Sequence, residues 1–411
     1  MRRALILCLA GCSNLLGIDD LQGPPDTSMP PTGDGPVDPV VDCKAQRVVH
    51  LVGGTAGLAW FTLIWPVPGV INSFTPDFAY DNPSFATNLT TDPSHQLFVR
   101  TNGVAAVWAG KGADPQPSVF IAGQNETHSQ TPSSAITVGG TGLVAAATAI
   151  QIGALNPPVP VLAFERSAPY GTAPGAPPPR VVIDVQPALD ELQAEGLIDA
   201  VTAGQLNPSA TQLANYFSPG APASIVSIGT RLAFTANAFK LGLVGSVVMP
   251  AFNDDPHGAF NDVTAATARA NQLAAVLDAF YADLAAANEV SCGNNGQLLS
   301  LADNVVMIVN GDTMKNPYMR AGWPDGTPQN SNLLYVRSNG FTKPGWFGEL
   351  TPQGTRLFFD PATGLSGPGG DAPSNTQAAY AGALYSIARG DRTLIAPYVT
   401  NNIEFDGVVV P

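Results

Sequence analysis

The polar and apolar positions of this chain divide into short unbroken apolar runs and longer stretches with a helical period. Residues 47–52 (RVVHLV), 245–252 (GSVVMPAF) and 304–310 (NVVMIVN) are mostly apolar without alternation, the pattern of strands covered on both faces. The first run ends at Gly53-Gly54, which marks a tight turn. Further strand patterns fall at 95–100, 105–109, 118–122, 160–165, 180–184 and 333–337. Helices are predicted over 143–152, 186–195 and 209–217, the last entered through Pro208-Ser209. A longer helix is predicted over 263–287 with Asp262 as its cap. Its Leu273, Leu277, Phe280 and Leu284 recur at spacings of four, three and four and so share a face. A final helix over 376–388 carries Tyr380, Leu384 and Ile387 on one stripe. Apolar strand, long helix and apolar strand in succession predict parallel pairing with both faces covered and a right-handed crossover. The reading is one α/β domain over residues 43–411, with irregular insertions between about 77 and 245.

The first residues depart from this pattern. Arg2-Arg3, an apolar stretch over 4–9 and Leu9-Ala10-Gly11-Cys12 give a charged start, an apolar middle and a small residue before a cysteine. The order resembles the lipobox of bacterial lipoproteins, whose cysteine is lipidated and becomes the mature N-terminus. That resemblance implies a signal peptide over 1–11, lipidation of Cys12, and export by the general secretory route. The paired arginines lack the surroundings of a twin-arginine signal. Residues 12–42 then form a tether. Within it, 18–41 (IDDLQGPPDTSMPPTGDGPVDPVV) cannot bury enough surface to offset its ordering entropy, and its prolines favour an extended spacer. The expected address is the bacterial cell envelope, at the outer membrane or cell surface, reached through acyl chains. No later apolar run has the length of a membrane span, 241–252 included.

Charge and cysteine content narrow the partners. The formal net charge is −14, and losing Arg2 and Arg3 with the signal takes it to −16. Nucleic acid and anionic surfaces need a basic face, so neither is expected as a partner. Of the four cysteines, Cys8 leaves with the signal and Cys12 carries lipid. Cys43 and Cys292 remain as an even pair in an oxidising compartment and are expected to form a disulfide. The chain-entropy account assigns a loop of that length about 5 kcal/mol.

Four stretches carry a wider resemblance. They are His50 to Leu58 (HLVGGTAGL), Ala251 to His257 (AFNDDPH), Leu273 to Leu284 (LAAVLDAFYADL), and the span from Asp303-Asn304-Val305-Val306-Met307 to Gly345-Trp346-Phe347-Gly348-Glu349. In that order they resemble a group of secreted bacterial proteins related to sulfatases and alkaline phosphatases, itself of unknown function. The resemblance spans most of 45–400. It implies an alkaline-phosphatase-like three-layer α/β/α sandwich with a mostly parallel central sheet. It also implies one or two divalent ions, zinc, calcium, magnesium or manganese, held at the carboxyl ends of the strands by carboxylate and histidine ligands. Such ions polarise a phosphoryl or sulfuryl oxygen and activate a hydroxyl nucleophile. The ligands thin out in this chain. Ala56, beside Thr55, stands where the family's first turn has aspartate. Its late Asp-His-Gly falls near Gly326-Thr327-Pro328-Gln329, which has no histidine.

What remains is an incomplete set. Asp254, Asp255, His257 and Asp312 are the candidate metal ligands, and His128, Ser129 and Thr313 the candidate catalytic residues. A polar turn around Pro256 and an Asp in a Gly turn are the plainer readings of the acids. His50, mid-strand, reads as a core histidine. Gly53-Gly54-Thr55-Ala56-Gly57 lacks the lysine and spacing of a phosphate loop. The tryptophans Trp60, Trp65, Trp108, Trp323 and Trp346 could line a sugar cleft but, so scattered, read as packing. Asn88 and Asn125 begin sequons that mean little in a bacterial lipoprotein. The expected function is a binding or structural envelope component with an eroded metal site and an envelope protein or polysaccharide as partner. The alternatives are an active metal-dependent phosphate- or sulfate-ester hydrolase and a surface assembly or adhesion subunit.

Overall fold

The structure, a computed structural model, describes residues 43–55, 57–61, 64–65, 86–88, 98–100, 117–124, 126–253, 263–291, 299–312, 332–350, 356–367, 371–400 and 402–411. The signal, Cys12 and the tether, the strand expected at 105–109, Asp262, Cys292 and residues 326–329 lie outside them. So do Ala56, Asn125, Trp108 and Trp323.

Arg47–Gly53 (β1) is buried at every position and lies inside an eight-stranded sheet. The other strands are Pro117–Ala122 (β2), Val159–Phe164 (β3), Arg180–Val182 (β4), Val244–Phe252 (β5), Val305–Gly311 (β6), Asn332–Arg337 (β7) and Gly345–Phe347 (β8). Their order across the sheet is β8-β2-β7-β6-β1-β5-β3-β4. β1 pairs in parallel with β5 on one side and β6 on the other, His50 lying between Val248 and Ile308. β3 and β4 continue the parallel set. β7 alone runs against its neighbours, being antiparallel to both β6 and β2. The central strands are unbroken apolar runs because helices cover both of their faces.

Alternate residues of β1 enter two cores. Val49 and Leu51 pack with Ala223–Lys240 (α5) and Val263–Ala285 (α6). Val48 and Val52 pack with Leu143–Ala154 (α1) and Ala372–Ile387 (α7). Between β4 and α5 lie Val185–Ala194 (α2), Ala200–Leu206 (α3) and Ala210–Tyr216 (α4), each capped by an Asp or Ser side chain. This is a three-layer α/β/α arrangement, and Val41–Pro411 form one compact unit. Leu273, Leu277, Phe280 and Leu284 are all buried on the expected face of α6. Trp60 and Trp346 are buried in the core. No helix among the described residues is long and apolar enough to cross a membrane.

Two expectations need correction. The stretch read as insertions, 77–245, is regular from Leu143 onward. It supplies two sheet strands and the eighteen-residue α5, which covers one sheet face. The apolar period of α5 (Ile225, Ile228, Leu232, Phe239) is interrupted by Ser227, Gly229, Thr230 and Thr235, all poor helix formers. The last helix begins at Ala372 rather than 376, because the Asp371 carboxylate accepts from Ser374 N at 2.7 Å and Pro373 suits the first turn. It is also buried nearly all round, sharing one core with Phe359, Phe405, Val408 and Val409.

The amino end of the sheet is closed by a buried ion pair. Arg47 donates to both oxygens of Glu289, at 2.7 and 2.6 Å, and to Ser291 Oγ at 2.8 Å. Both charged side chains are fully buried. Asn304 donates to Glu289 at 3.1 Å and accepts from Arg389 at 2.9 Å. Burial pushes the Glu289 carboxyl up, but the bonds and charge of Arg47, with Ser291 and Asn304, outweigh it and hold the pKa below the usual range. Cys43, buried nearby in the chain, is disulfide-bonded.

Candidate functional site

Parallel strands deliver their carboxyl ends to one edge, where open α/β sheets bind ligands. β1 ends in Gly53-Gly54-Thr55, with a register shift against β5 at Val52/Gly53. Such bulges re-aim backbone beside sites. The glycines are required by close approach. A Cβ on Gly54 would lie 2.7 Å from Asn253 Oδ1 and 2.8 Å from Gln130 O, and one on Gly57 2.5 Å from Phe252 O. The turn is thus wedged against the end of β5.

The loop 123–134 folds over this turn. Glu126 fixes it by accepting from Ser133 N at 2.9 and 3.0 Å, from Ser134 N at 2.9 Å and from Ser134 Oγ at 2.8 Å. Thr55 N then donates to Ser129 O at 2.9 Å. Asn310 Nδ2, on β6, donates to Pro132 O at 3.1 Å, and its Oδ1 lies 2.5 Å from His50 Nε2. His50 is fully buried and its pKa is lowered to about 4 by desolvation, which the Asn310 bond only partly opposes. The ring is therefore neutral, with Nε2 donating. Its Nδ1 has no hydrogen-bond partner among the described residues, so this core histidine is half satisfied.

From the other side comes Arg166, two residues past β3. Its Nη1 donates to Gln130 O and to Asn253 Oδ1, the latter at 3.2 Å. Neighbouring Glu165 turns away and pairs with the buried Arg231 of α5. Arg166 therefore has neutral acceptors and no carboxylate among the described residues. Backbone strain gathers at the same place. Thr55 (φ 51°), His128 (φ 56°) and Glu165 (φ 64°) hold left-handed conformations, half of the six described non-glycine residues that do. Strain of this kind costs about 1–3 kcal/mol per residue and clusters at functional sites.

Of the candidates from sequence, Ser129 and Asp312 are brought to this edge. Asp312, 1% exposed, donates its N–H to Gly53 O at 3.1 Å. Ser129 is half-buried, and its Oγ accepts from Thr131 N at 3.2 Å. His128, beside Ser129, is exposed. Asp254, Asp255, His257 and Thr313 lie outside the described residues. Arg166, Asn253, Gln130 and Asn310 were not anticipated. Arg166 does follow an apolar strand directly, but its meaning depends on β3 running parallel to β1 two strands away.

The described donors do not make a divalent-ion site. They offer one carboxylate, Asp312, with the hydroxyls of Thr55 and Ser129 and the amide of Asn253, beside a guanidinium. A hard or borderline ion needs several carboxylates or histidines, and no group of three such side chains occurs among the described residues. What the arrangement can do is receive an anion. The guanidinium keeps donor capacity beyond the two bonds made by Nη1, and hydroxyls stand nearby. No known family model matches the chain, and none of the curated proteins matches it.

Proposed function

We propose that this chain is an exported lipoprotein anchored to the bacterial envelope through Cys12. Its alkaline-phosphatase-like domain binds an anionic ligand at the carboxyl edge of the sheet without metal-dependent turnover. The observation that carries this reading is Arg166, a half-buried cation held by Gln130 O and Asn253 Oδ1 beside the strained Thr55 turn. The net charge of −14 does not oppose it. Screening limits the reach of surface charge to about 8–10 Å, so a bound anion responds chiefly to the guanidinium it touches. The Thr55-Ala56 pair, in place of the family's aspartate, supports loss of the metal.

Metal content tests the second half of the proposal. After refilling with zinc, calcium, magnesium and manganese ions, the purified chain is expected to retain none stoichiometrically by mass spectrometry. A retained ion that is lost on Asp254→Ala would overturn it. For the anchor, Cys12→Ser is expected to move the chain from the membrane fraction to the soluble one.

A second reading is an active ester hydrolase with Asp254, Asp255, His257 and Asp312 as ligands and Ser129 or Thr313 as nucleophile, His128 assisting. It is favoured by Asn253, whose side chain reaches Arg166 while the next residue is Asp254. The pairing of Cys43 with Cys292 is also proposed. Arg47, four residues past Cys43, bonds Ser291, the neighbour of Cys292.

A further inference from the structure

Two cavities meet at the amino end of α7, apart from the carboxyl-edge cluster. One, of about 340 Å³, lies among Gln124, Ser134, Thr137 and Gln377. The other, of about 300 Å³, lies among Asp371, Ser374, Asn402, Glu404 and the same Gln377. They adjoin at Gln377, which lines both and so lies along one groove-like track, and each is at the small end of the range for ligand sites.

The lining is specific in its chemistry. Among the described residues the larger cavity has no charged side chain, whereas the smaller one has the carboxylates of Asp371 and Glu404. The carboxamides of Gln124 and Gln377 and the hydroxyl of Thr137 make no hydrogen bond among the described residues. Each can donate and accept. Val138 and Pro373 add small apolar faces. The charge-free wall of the larger cavity gives an ion no compensation for desolvation, the carboxylates of the smaller one repel an anion, and without large aliphatic or aromatic walls among the described residues a lipid tail gains little. Paired hydroxyls on a ring with apolar C–H faces fit both features.

We propose that this groove binds a linear, uncharged oligosaccharide, one ring in each cavity, with Gln377 bonded to both. An uncharged peptide carries similar polar groups. Peptide recognition, however, draws on a long free strand edge or a deep apolar groove, and the described lining offers only the two-residue strand Thr137–Val138. The proposal shares the loop 123–134 with the anion reading, but Gln377 and Thr137, which carry it, belong to neither the Thr55 turn nor the Arg166 contacts.

The full-length chain in detergent would be titrated with maltotetraose, cellotetraose, mannotetraose and the tetramer of N-acetylglucosamine. Binding would be followed by calorimetry and saturation-transfer NMR. At least one is expected to bind saturably, with Gln377→Ala weakening it about tenfold. Circular dichroism would check that Gln377→Ala folds. Gln124→Ala, on an exposed side chain, provides the second variant and is expected to weaken binding less. Failure of all four sugars to bind up to about 10 mM would overturn the proposal. So would binding unaltered in both glutamine variants.

Discussion

The two ends of the sheet use arginine in opposite ways. At the amino end, Arg47 is fully buried and bonded twice to an equally buried Glu289. At the carboxyl end, Arg166 is half-buried and bonded only to neutral oxygens. A buried charge costs several kcal/mol unless paired, so the first arrangement is closed and belongs to the fold. The second leaves its charge uncompensated by any described carboxylate while backbone strain collects around it. One end is closed by a paired charge, and the other is where we propose that an anion binds.

The sharpest way to break this comparison is Glu289→Ala, which strands the Arg47 guanidinium. Stability to urea should fall by about 3–5 kcal/mol. A loss within experimental error would mean that the amino end is not the closed one. The lowered Glu289 pKa sets its pH window. Stabilisation is present above the unfolded value of 4.5 and is lost as pH falls through the folded pKa.

Next in size is His50. Its folded pKa, about 4, lies below 6.5, so the unfolded chain binds the extra proton first. Stability should fall as pH drops from 6.5 to 4, by about 3 kcal/mol in all. His50→Gln should flatten urea midpoints over that window. An unchanged profile would remove His50 as the cause.

Smaller effects follow. Asp371→Ala removes the cap of α7 and should cost about 1 kcal/mol, read from the same denaturation curves. Arg166→Ala should change stability by less than about 1 kcal/mol. A loss like that of Glu289→Ala would make Arg166 a structural residue and erase the contrast.

The strands at 47–52, 245–252 and 304–310 were legible because both faces of each are buried, which leaves an unbroken apolar signature. The full burial of α7 was not, because part of its core comes from Phe405, Val408 and Val409, distant in sequence. Asp312 and Ser129 could be singled out as polar residues after a strand and in a loop. The His50–Asn310 bond could not, since it joins positions 260 residues apart through sheet register alone. Arg166 escaped notice for the same reason. Its role needs β3, β5 and the loop 123–134 in place together.

One measurement tests the central claim most directly. The full-length chain and its Arg166→Ala variant would be titrated with p-nitrophenyl phosphate and p-nitrophenyl sulfate by calorimetry, with zinc, calcium, magnesium or manganese present, while release of p-nitrophenolate is followed. The account predicts saturable binding of at least one ester, weakened at least about tenfold in the variant, with no turnover. Metal-dependent release of p-nitrophenolate, or binding indifferent to Arg166, would contradict it.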